Sequence, residues 1–141
     1  MTEYFLDTNV IVSGLLWDGN ESAVLRLARE GKVQAITSQY VLDEVAHVLR
    51  DYFAFDTEMV IEKMSSVTPD FTRIIEVSKK EVLTQSKKLT DKKDAPILAA
   101  VAKSGAVLVT GDRKLTREAR GVADVISAKE LLSKAKFDLS K

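Results

Sequence analysis

Short apolar and β-branched runs alternate along the chain with stretches whose apolar residues recur at every third or fourth position, and together they predict strands interleaved with helices. Short β-prone runs occupy residues 3–7, 33–37, 71–77, 106–110 and 125–126, and Ala106 to Thr110 is the most uniformly apolar of them. The first run, Glu3 to Asp7, ends at an acid followed by Thr8 and Asn9, polar residues that mark a turn out of the strand. From Asn20 onward Val24, Leu25, Leu27 and Ala28 recur at helical spacing and stop before Gly31, a residue suited to a left-handed cap. Ser38 reads as the N-cap of a second helix carrying Val41, Leu42, Val45, Val48 and Leu49. Further helices are expected at 56–66, closed by Thr68, Pro69 and Asp70, and at 79–89, 94–103, 113–120 and 128–135.

Strands separated by helices of this length need crossover connections, which place neighbouring strands parallel. The expected fold class is therefore α/β, a three-layer sandwich with a central parallel sheet covered by helices on both faces. One domain is expected over residues 1–137, with a short tail at 138–141.

Composition narrows the chemistry. With 141 residues the chain is long enough for a hydrophobic core without staples, and the absence of Cys removes disulfides, thiolate-bound zinc, iron–sulfur clusters and any thiol nucleophile. No basic leader precedes the first strand, and no apolar run approaches the ~18 residues of a membrane span, so a soluble cytoplasmic protein is expected. Twenty-one Lys and Arg balance 21 Asp and Glu. Neutrality argues against coating nucleic acid by bulk charge, yet it leaves room for a basic patch beside an acidic site.

Four acids stand where an acid is topologically favoured or locally costly. Asp7 and Asp112 follow two strands at their carboxyl ends, the edge where open α/β sheets bind ligands. On a helical wheel Glu44 lies about 300° from Val41, bordering the apolar face of Val41, Val45 and Val48. Asp94 shares the face of Ile97, Leu98 and Val101. Taken singly, each has an ordinary reading: Asp7 as an Asx-turn former, Glu44 as an ion-pair partner, Asp94 as an N-cap ahead of Pro96, Asp112 as a turn residue after Gly111. If the four converge, each pair about 5 Å apart repels by roughly 3 kcal/mol at an effective dielectric near 20. Either some are protonated or a hard divalent cation sits among them, and an all-oxygen set selects Mg²⁺ or Mn²⁺ over zinc or copper.

At these residues the sequence resembles the PIN domain family. YFLDTNVIVSGLL is similar to the family's first strand and turn, SQYVLDEVAHVL to its second acidic motif, and KKDAPILAAVAKSGAVLVTGDRKL to its third and fourth. The resemblance spans residues 4 to about 127. It implies that Asp7, Glu44, Asp94 and Asp112 are an acidic catalytic quartet that also binds metal, with Thr8, Asn9, Ser13 and Thr110 as polar support. It further implies a PIN-like nuclease domain, most often an endoribonuclease dependent on Mg²⁺ or Mn²⁺, and frequently the toxin of a VapC-type toxin–antitoxin pair. Such a protein has RNA as substrate, a cognate antitoxin as partner and a homodimer as its assembly. In the mechanism expected, Asp7, Asp94 and Asp112 hold one or two ions, with Glu44 binding directly or through water, and an activated water attacks the phosphodiester in line. His47, about 240° from Val41, falls on the polar side of its helix and cannot supply a two-histidine mechanism.

Substrate needs positive charge near the acids. Six lysines between Lys79 and Lys93 oppose only Glu81 and Asp91, and Arg113, Lys114, Arg117 and Arg120 oppose only Glu118. Lys92, Lys93, Arg113, Lys114 and Arg117 are the candidate RNA contacts. Asp91 is an extra acid, better suited to capping than to the metal. Trp17 and Tyr52 are candidates for base recognition, packing or a dimer contact. The competing reading is a non-catalytic PIN-like module that binds RNA or protein without cutting. A receiver domain or a haloacid-dehalogenase-type phosphatase fits less well, since Asn9 stands where the latter needs a second Asp.

Overall fold

β1 (Glu3–Leu6) carries Phe5 and Leu6 in succession, and both are fully buried. Adjacent residues of a strand point to opposite faces, so both faces of the sheet are covered. Ala35 and Ile36 on β2 (Gln34–Ser38) and Leu108 and Val109 on β4 (Val107–Val109) repeat the pattern. In this computed structural model, which describes the backbone of residues 1–139, β3 (Arg73–Ile75) and β5 (Val125–Ile126) complete the sheet. All pairings are parallel and the order is β3-β2-β1-β4-β5. The α/β sandwich expected from the sequence is thus the fold observed.

Among the described residues eight helices connect and cover the strands: α1 (Thr8–Leu16), α2 (Asn20–Arg29), α3 (Gln39–Asp51), α4 (Thr57–Val67), α5 (Lys79–Ser86), α6 (Ala95–Ser104), α7 (Arg113–Glu118) and α8 (Ala128–Leu139). Single 3₁₀ turns occupy Thr68–Asp70 and Lys92–Asp94. Helices α1, α2 and α8 pack in series, α3 touches α1, α4 and α6, and α5 lies on α6. No helix among the described residues is long and apolar enough to cross a membrane. The expected tail at 138–141 begins inside α8, which continues through Leu139; residues 140–141 lie outside the described residues.

Helix α1 is the main departure from the expected elements. The turn anticipated at Thr8 and Asn9 is the first turn of a helix, and Asp7 is its N-cap, accepting a hydrogen bond from the Val10 amide at 3.0 Å. The β-branched run Val10, Ile11 and Val12 has low helix propensity, but all three are buried, and burial overrides propensity. Gly14 allows α1 to approach α2 closely: a Cβ there would stand 2.5 Å from Leu25 Cδ1 and 3.0 Å from the Glu21 carbonyl. Ser38 caps α3 through the Val41 amide, and Gly31 stands at φ +72°, the left-handed conformation expected of it. The run at 71–77 contributes only Arg73–Ile75 to the sheet, as an edge strand.

Candidate active site

The chain runs from β1 to β2 to β3 in one direction, then places β4 on the other side of β1. The carboxyl ends of β1 and β4 therefore flank the point where strand order reverses, the crevice in which open α/β sheets bind ligands. Asp7 follows β1 and Asp112 follows β4. Asp7 is almost fully buried, and the buried Thr110 hydroxyl donates to its Oδ2. Thr110 Oγ1 in turn accepts from the Asp112 amide at 3.1 Å, so one hydroxyl links the two acids. Asp112 caps α7, its Oδ1 accepting from the Lys114 and Leu115 amides at 2.8 and 3.2 Å.

Glu44 reaches the same edge from α3. The buried Thr8 hydroxyl donates to its Oε1, which ties α3 to the first turn of α1. Burial raises the Asp7 carboxyl from the usual 3.8 to about 6, opposed by the bonds from Thr110 and Val10 and reinforced by the charges of Asp112 and Glu44. Tyr40, one helical turn before Glu44, has its phenol pushed up by burial and then by Glu44 and Asp94.

Asp94 sits at the start of α6 without capping it: its side chain makes no cap hydrogen bond, and its Oδ2 is buried with no hydrogen-bond partner. The N-cap reading of this residue is therefore not what the structure shows. That oxygen lies 3.9 Å from the Lys114 ammonium and beside the Glu118 carboxyl. On Asp7, Glu44 and Asp112, by contrast, hydroxyls and amides fix the acids in orientation through at least one oxygen each. Among the described residues no three acids or histidines stand in ready-made coordination geometry. The donor set nonetheless fits a hard divalent cation, being all oxygen, with the like charges of Asp112 and Glu44 crowding the buried Asp7.

The remaining candidates separate clearly. Asn9 is exposed and Ser13 half-buried, and neither side chain hydrogen-bonds to an acid among the described residues. Lys92, Lys93, Arg113 and Arg117 are exposed around the edge. Lys114 differs from them, because its ammonium pairs with Asp91 and lies 3.9 Å from Asp94 Oδ2. Asp91 also accepts from the Lys93 amide at 3.0 Å, the capping role expected of it. His47 is exposed and pairs with Asp51 at 2.8 Å.

Sequence reasoning missed two residues of this edge. Glu118 on α7 is partly buried, its Oε2 has no hydrogen-bond partner, and its carboxyl is raised by burial and by closeness to Asp94. Tyr40 is the other. Both carried a signal, since Tyr40 lies four residues before Glu44 and Glu118 four after Lys114, the spacing that puts helical side chains on one face. Beside the acids, an apolar cleft of about 590 Å³ opens between α3, β3 and α5, lined by Tyr40, Ile75, Val77, Val82, Leu83 and Pro96.

The backbone is similar to that of PAE2754 from Pyrobaculum aerophilum, with a TM-score of 0.71 and 18% identity over 96% of each chain. It is similar also to VapBC2 from Rickettsia felis, whose structure holds a promoter DNA fragment, at a TM-score of 0.69 and 18% identity over 89% of this chain and 98% of that one. VapBC-1 from nontypeable Haemophilus influenzae follows at 0.65 and 15% identity, over 91% of this chain and 99% of that one. No protein among the curated ones matches the sequence significantly. The sequence model of the PIN domain matches residues 3–114, from the first residue of β1 through all four acids to Lys114, and the chain belongs to the PIN domain family.

Proposed function

We propose that the protein is a Mg²⁺- or Mn²⁺-dependent endoribonuclease, the toxin of a type II toxin–antitoxin pair, with Asp7, Glu44, Asp94 and Asp112 as its catalytic and metal-binding acids. The observation that carries the reading is a buried Asp7 whose charge is opposed by burial, Asp112 and Glu44, with hydroxyl and amide partners but no cationic one among the described residues. Membership of the PIN domain family supports nuclease chemistry, and likeness of fold to the two VapBC structures supports the toxin role.

An ion held by Asp7, Asp94 and Asp112, with Glu44 direct or through water, would activate a water for in-line attack and stabilise the departing oxygen. The chain's own groups prepare that site. Thr110 orients Asp7 and, through the Asp112 amide, the turn that follows β4. Thr8 orients Glu44. Lys92, Lys93, Arg113 and Arg117 supply positive charge at the rim, where they hold phosphates without reading sequence. The cleft beside Tyr40 accommodates a nucleobase flanking the scissile phosphate. For the homodimer, the exposed Trp17 and Tyr52 are the candidate contact, each packed edge-to-face on the half-buried Phe53 with ring centroids 5.7 and 4.9 Å apart. The antitoxin is a partner of the acidic edge.

Cleavage of single-stranded RNA by the purified chain tests this. Cutting in Mn²⁺ that stops in excess EDTA and is lost in Asp94→Asn supports it. Cutting that persists in EDTA removes the metal from the account, and metal binding without hydrolysis across a broad RNA panel favours the non-catalytic module.

A further inference from the structure

The acids at the carboxyl edge fall into two groups. Asp7, Glu44 and Asp112 are joined through Thr8, Thr110 and their mutual charge. Asp91, Asp94 and Glu118 form the second group, and a cation already stands among them. The Lys114 ammonium pairs with Asp91 and lies 3.9 Å from Asp94 Oδ2, and its charge is stabilised by Asp91, Asp94 and Glu118 in that order. Lys114 projects from the first turn of α7, one turn before Glu118 on the same helical face. Asp112 caps that turn through the Lys114 amide itself, so the same residue is fixed to one acid group by its backbone and to the other by its side chain.

We propose that the Lys114 ammonium stands in for a second divalent cation, so that this edge binds one metal ion and not two. The inference rests on Asp7, Asp94 and Asp112 being metal ligands. Two features favour it. A divalent ion seated between Asp91 and Asp94 would meet the ammonium at contact distance, and like charges in a partly buried place exclude each other. The Lys114 ammonium pairs with Asp91, which also accepts from the Lys93 amide, and stands within ion-pair range of Asp94 Oδ2 at 3.9 Å, so the place a second ion would take between these acids is already filled by a cation. Lys114 is thus a positioning residue for the acids, unlike its neighbours Arg113 and Arg117, which are exposed.

Counting bound Mn²⁺ tests the proposal, by titration calorimetry on the whole chain and by electron paramagnetic resonance, which detects pairs of coupled ions. Wild type is expected to bind one Mn²⁺ per chain, K114A two with a coupled signal, and K114R one, because it restores the charge. If K114A loses its circular dichroism, K114Q is counted in its place. Two ions in wild type, or one in both the charge-removing variant and wild type, overturn the role of Lys114 and leave the metal site standing. No Mn²⁺ on folded wild type overturns the metal site itself.

Discussion

The two ends of β1 treat a carboxylate in opposite ways. At the amino end Glu3 forms a two-point ion pair with Arg73 of β3, at 2.8 and 2.9 Å, near the surface. At the carboxyl end Asp7 is buried beside Asp112 and Glu44 and has hydrogen bonds from Thr110 and Val10 in place of a cation. A guanidinium neutralises the first acid in place, whereas the second is held at a cost to stability. The difference teaches that the sheet's two edges are built differently: the amino edge neutralises its carboxylate within the chain, whereas the carboxyl edge leaves Asp7 without a paired cation among the described residues.

Breaking the carboxyl end has the largest expected effect. Asp7→Asn and Asp94→Asn each lower the rate of RNA cleavage by about 10²- to 10³-fold or more, measured as initial rates in Mn²⁺. The same Asp7→Asn change stabilises the metal-free protein. A carboxyl raised from 3.8 to about 6 binds its proton more tightly in the folded state, so stability falls as pH rises between those values and stays low above them. Chemical denaturation at pH 7.5 is expected to show a gain of about 2–3 kcal/mol for Asp7→Asn, shrinking to nothing near pH 4. Thr110→Val removes a hydroxyl that lowers the Asp7 value, so the Asp7 titration followed by NMR moves above 6, and the fold loses about 1–2 kcal/mol at pH 7.5. Glu3→Gln, at the other end, is expected to leave cleavage unchanged and to shift the melting temperature least of all, because an exposed pair is well screened.

Much of this edge was legible in the residues themselves. Asp7 and Asp112 were found because strand ends can be read from short apolar runs, and Glu44 and Asp94 because helical spacing puts them beside Val41 and Ile97. Helix α1 was not legible, since Val10, Ile11 and Val12 favour a strand locally and only their burial, with Asp7 as cap, makes them helical. Lys114 and Glu118 read as members of a basic run on α7, because sequence separates them from Asp91 and Asp94 by all of α6 and β4. Their meeting depends on tertiary folding, and so does the difference between Lys114 and Arg113. Asn9 and Ser13 show the converse, being close to Asp7 in sequence yet without a hydrogen bond to the acids.

The most direct measurement of the central claim is the melting temperature of wild type and Asp7→Asn with and without Mn²⁺ at pH 7.5. An ion that binds only the folded state raises its melting temperature by mass action. Mn²⁺ is expected to raise wild type by several degrees, on the order of the shift that 1–2 kcal/mol produces in a domain of this size, and to leave Asp7→Asn almost unmoved. An equal rise in both proteins, or none in wild type, would contradict it.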